Sequence, residues 1–127
     1  MCGTNREEGF RVAPSDIILV AAPDSSFRRS LAFALESDGF RVYAHGDATE
    51  AFASAHAGEA ACACIDDEAI SDWDEAREQF GRFAKPVILL IGIFGIAPEL
   101  PFMRPVVKPF LGEALIEAVR GAIADLM

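Results

Sequence analysis

A chain of 127 residues fits one domain with a buried core, and 52% hydrophobic with 24% charged residues is a globular composition at its apolar end. The formal net charge of -9 repels phosphate backbones and argues against nucleic-acid binding.

Residues 1–14, MCGTNREEGFRVAP, lack the apolar centre of a signal peptide and read as a flexible leader closed by Pro14, leaving a domain over 15–127. The longest greasy run, Val87 to Phe94, is far shorter than the roughly 18 residues that span a bilayer. A cytoplasmic protein without a membrane partner is the expectation. Cys62 and Cys64 stand two apart in an apolar run, so a strand puts them on one face. They lack zinc-site spacing and read as buried thiols suited to a reducing compartment, with Cys2 in the leader.

DIILVA (16–21) is a continuous apolar run, typical of a strand buried on both faces. SSFRRSLAFALESDG follows, with Phe27, Leu31 and Leu35 at helical spacing, Asp24 or Ser25 to cap the start and Gly39 to stop it. FRVYAH (40–45) alternates as a strand, and Asp47 with Glu50 opens a helix through about Ala57. AACACI (60–65) is a third strand, DDEAIS an acidic loop, and residues 72–83 a helix carrying Trp73, Ala76, Phe80 and Phe83. PVILLI (86–91) is a fourth strand. GIFGIAPELPFM (92–103), with two Gly and two Pro, reads as loop. RPVVK (104–108) is a short last strand, and an amphipathic helix with Leu111, Leu115, Val119, Ala122 and Ile123 facing inward ends the chain.

Such alternation predicts an α/β fold, a parallel sheet with helices on both faces. Ligands of such sheets sit outside the carboxyl ends of the strands, at the switch point. That rule singles out Ala22 to Asp24, Asp66 to Glu68, Ile91 to Gly92, and Lys108. No Gly-rich phosphate loop follows the first strand, which weighs against an unrelated cofactor binder. The acidic stretch IDDEAISDWDE lacks calcium-loop spacing, and His45 and His56 stand isolated.

Those places, with ILVA..DSSFRRSLAFALESDGFRV, GDATEAF, a third strand ending in Asp66, PVILLI and VVKPF, resemble a response regulator receiver domain from Asp16 to Ala124. The resemblance implies a flavodoxin-like, doubly wound sheet of five parallel strands in the order 2-1-3-4-5. It makes Asp66 the phospho-acceptor position and Lys108 the phosphate-contacting lysine. A carboxylate attacking a phosphoryl donor must cope with charge on three oxygens, which a divalent cation and a lysine neutralise.

The departures from the family pattern are concentrated at this centre. Its metal-binding acidic pair falls on Ala22 and Pro23, its strand-four hydroxyl on Ile91 and its aromatic switch on Pro105. The segment from Gly92 to Lys108 is short for a complete fourth helix, which is therefore expected to be irregular or shortened. Asp24 and Glu68 are the better candidates for a substitute Mg²⁺ shell, since alternation turns Asp67 to the other face if the strand persists that far. The expectation is a pseudo-receiver, not an enzyme and without a cofactor, that works by protein contact. The alternative is a receiver phosphorylated at Asp66 with Mg²⁺ held weakly by a non-standard shell. Signalling proteins, a histidine kinase or phosphotransfer protein among them, or a second copy are the implied partners. Phe94, Ile96, Leu100 and Phe102 either cover the core where a helix would sit or form a partner surface. With the chain ending just after its last helix, no output domain is expected.

Overall fold

The computed structural model describes residues 16–92, 95, 98–108 and 113–125. The leader, Phe94, Ile96 and the Pro109–Phe110 turn lie outside them. Five parallel strands stand in the order β2-β1-β3-β4-β5, as expected.

β1 (Ile17–Ala21) is buried at every position, and Asp24 caps α1 (Ser25–Ser37) by accepting the Ser26 N–H at 2.9 Å. Gly39, at φ +97, makes the turn into the edge strand β2 (Arg41–His45). Asp47 caps α2 (Ala48–Ala53) through the Glu50 N–H at 2.8 Å. This helix stops short of the expected Ala57. The Ser54 hydroxyl donates to the Ala51 carbonyl at 2.8 Å, and His56 stacks on Tyr43 of β2 with ring centroids 3.5 Å apart, so the chain leaves the helix for the sheet edge. β3 (Cys62–Asp66) runs into a 3₁₀ turn, Asp67–Ala69. Asp72 caps α3 (Trp73–Phe83), and β4 (Val87–Ile91) follows. β5 (Met103–Val107) and α4 (Glu113–Ala124) complete the fold.

Two apolar layers sandwich the sheet. On one face Leu19, Ile65 and Leu89 of the sheet cluster with Phe80 of α3; on the other, Ile18 and Val20 cluster with Leu31 and Leu35 of α1 and Leu115 and Val119 of α4. Cys62 and Cys64 lie buried in the second layer. Each fully buried Leu or Ile contributes about 1.5–3 kcal/mol. No helix among the described residues is long and apolar enough to cross a membrane.

Between β4 and β5 the described residues contain no helix. Leu100 is 8% exposed and joins the layer under α3. Phe102 is 52% exposed and takes a left-handed φ of 63. β5 is an edge strand. The Phe102 carbonyl accepts from Val87 N–H and Lys108 N–H donates to the Ile91 carbonyl, which turns the amides of 103, 105 and 107 outward. Pro105 therefore removes a donor from the free edge and costs the ladder nothing.

Ala84 ends α3 at φ 57, a position that favours glycine. Ala84→Gly is expected to stabilise the fold by about 0.5–1 kcal/mol, read as a higher urea midpoint at unchanged slope.

Candidate functional site

The carboxyl ends of β1, β3 and β4 open on one side of the sheet, and the side chains of interest gather there. Asp66 is the last residue of β3. It is 3% exposed, and its Oδ1 accepts the Glu68 N–H at 3.2 Å. Lys108 follows β5, where its backbone N–H bonds the Ile91 carbonyl at 2.7 Å and aims the side chain across β4. Its Nζ donates to Asp66 Oδ1 at 2.7 Å and to Asp67 Oδ1 at 3.0 Å, with Glu68 Oε2 at 3.7 Å. The Phe27 ring stands 5.8 Å from the same ammonium.

The condition for turning Asp67 away, a strand that persists past Asp66, is not met. The strand stops at Asp66, the next residues wind into a 3₁₀ turn, and that turn swings Asp67 back onto Lys108. The Gly92 backbone also bonds Asp67, tying the ends of β3 and β4 together. The two substitute ligands named from the sequence stand differently toward this centre. Asp24 is exposed and occupied in capping α1, and Glu68 is a mostly exposed outer neighbour of the lysine.

Ala22 is fully buried, Pro23 is exposed and Ile91 is half-buried at the end of β4. Arg28 went unremarked in the sequence, yet its guanidinium donates to the Ala22 carbonyl at 2.7 Å and the Pro23 carbonyl at 3.4 Å. Long helical side chains lie back over the preceding turn, which was the available signal for it.

Burial is the largest influence on Asp66 and pushes its pKa up; the bonds from Lys108 and the Glu68 amide offset it only in part. Burial also opposes the Asp67 charge, but Asp67 is more open, and Lys108 with its neighbours holds its pKa below the ordinary value. Burial works against the Lys108 charge too, and the two carboxylates outweigh it and raise the pKa.

A receiver's divalent ion wants several hard oxygen ligands in near-octahedral array. Here Ala22 and Pro23 offer only carbonyls, which Arg28 engages, and Lys108 is held by Asp66 and Asp67. Among the described residues no three His, Cys, Asp or Glu side chains are grouped to hold a metal. Asp66 keeps a carboxylate and Lys108 a cation next to it, but Ile91 brings no hydroxyl toward a transferred phosphoryl group.

Removing Lys108 strands a buried carboxylate. Lys108→Met is expected to cost about 3 kcal/mol at neutral pH, and Asp66→Asn in the same chain to recover most of it, read by denaturant midpoints in a double-mutant cycle. The lysine's contribution is complete below its ordinary pKa of 10.5 and is lost as pH rises through its higher folded value. The gap between wild type and Lys108→Met should therefore close at strongly alkaline pH. Asp67, with a lowered pKa, contributes above 3.8 and loses that contribution as pH falls through its folded value, whereas Asp66, with a raised one, works in the opposite sense.

No protein-family model matches the chain. It is 31% identical over 108 residues to the transcriptional regulator protein FixT of Rhizobium meliloti (strain 1021), covering 84% of this chain and 91% of the relative. A response regulator receiver domain from Clostridium thermocellum superposes with a TM-score of 0.74 at 25% identity, over 87% of this chain and 98% of that one. Full-length FixJ from B. japonicum gives a TM-score of 0.67 at 25% identity, over 86% of this chain and 58% of that one. With the strand order, the acidic strand end and the lysine in register, the chain belongs to the response regulator receiver domain family.

Proposed function

We propose that this receiver signals by protein–protein contact, in a conformation held by Lys108 on Asp66 and Asp67, without metal-assisted phosphorylation. The observation that carries the reading is the doubly bonded Lys108 at a strand end where Ala22 and Pro23 supply no acidic ligand. The ammonium is bonded to both carboxylates, and its raised pKa keeps it charged.

The relative is named a transcriptional regulator. For a chain of net charge -9, influence on transcription through another signalling protein is physically easier than through DNA. A histidine kinase or a phosphotransfer protein is the kind of partner proposed, with a second copy of the chain as the other. A reducing cytoplasm suits the buried thiols of Cys62 and Cys64.

A second reading keeps Asp66 as a phospho-acceptor with Lys108 as its phosphate contact, and their 2.7 Å contact favours it. Intact mass after incubation with acetyl phosphate and Mg²⁺ separates the two. The proposal expects the same mass for wild type and Asp66→Asn. One added phosphoryl group on wild type, missing from Asp66→Asn, establishes the second reading instead.

A further inference from the structure

α2 and α3 flank an open groove of about 610 Å³ that runs from Thr49 and Glu75, in the first turns of the two helices, to Gly58 and Lys85. It exists because α2 ends at Ala53 while α3 runs on to Phe83, so the last turn of α3 has no helix beside it. The floor is aromatic: Phe52 meets Phe83 edge-on with centroids 5.3 Å apart and tilts against Phe80 at 5.6 Å. One wall is low, made of Ala53, Ala57 and Gly58.

Two cations stand at the end of the groove nearest Gly58. Lys85 bonds the Ala57 and Gly58 carbonyls at 3.3 and 3.2 Å and lies 4.9 Å over the Phe83 ring. Arg82 is exposed on the last turn of α3. Neither has a carboxylate partner among the described residues, although the chain carries nine excess negative charges. Burial holds the Lys85 pKa below the ordinary lysine value, a desolvation that an incoming anion would relieve. The other end of the groove carries Glu75, whose carboxylate accepts from the Thr49 hydroxyl at 3.2 Å. The groove is thus apolar along its floor and polarised along its length.

We infer that the α2–α3 groove docks an acidic protein segment with one aromatic or large aliphatic anchor, its carboxylates on Arg82 and Lys85 and its anchor on Phe52 and Phe83. The anchor supplies buried area and the charges set register and encounter rate, the division of labour usual at such surfaces. This goes beyond the reading of the Asp66 centre and does not depend on it. Peptide binding reports on the groove and phosphodonor mass reports on Asp66, so either can fail alone.

The test is fluorescence anisotropy of the full chain with a short fluorescein-labelled peptide of aspartates and glutamates ending in phenylalanine. Two matched probes replace the phenylalanine by serine or the acids by lysines. Saturable binding of the first probe only is expected, weakened by salt and roughly tenfold by Arg82→Glu or Gly58→Glu. A side chain at Gly58 meets nothing within 4 Å, so that variant keeps its fold, which an unchanged thermal midpoint checks. Equal binding of the lysine probe, no saturation, or indifference to both variants overturns the inference. Sedimentation showing a wild-type dimer that Gly58→Glu dissolves gives the groove to a second copy, and binding only after removal of residues 1–15 gives it to the chain's own amino terminus. Either result overturns it as well.

Discussion

The burial of β1, β3 and β4 on both faces is the constraint on which the rest depends. Strands without a solvent face are apolar nearly throughout, and here they pair in parallel, with helices returning the chain across either side. Parallel pairing brings every carboxyl end to the same edge. A polar residue can enter such a strand only at its last position, and Asp66 stands there, one residue beyond Ile65 of the core. Lys108 reaches it because β5 lies beside β4 in register, with Ile91 opposite Val107 and the lysine one step further on.

The electrostatics follow from that placement. A carboxylate at 3% exposure with no cation would be expensive, and one ammonium shared between two carboxylates is a compact way to satisfy it. The absence of acidic side chains at Ala22 and Pro23 removes competing charge, and Arg28 closes the same turn through backbone carbonyls. Both ends of the ion pair are therefore tied into the backbone: Asp66 by the Glu68 amide, Lys108 by the Ile91 carbonyl.

The α/β class was legible in apolar runs, capping residues and strand ends, whereas the strand order and the pairing of Asp66 with Lys108 at one site came with the resemblance to receiver domains. Three features were legible in neither. The side taken by Asp67 stayed open because period-two alternation holds only while the strand lasts, and the strand ends one residue earlier. Leu100 sits in a stretch rich in Pro and Gly, where no periodicity says which apolar residue turns inward. The early end of α2 depends on Ser54 and on His56 finding Tyr43, a partner thirteen positions away that no local pattern announces.

Pro105 has a consequence beyond its missing donor. Its pyrrolidine ring is fused to the backbone and has no rotamers to exchange, so position 105 itself cannot swing a side chain between an inward and an outward position. On the reading proposed above, the molecule stores no bit of its own. Its message would be its abundance: the cell would adjust the output by making or destroying copies, over the slow course of synthesis and turnover.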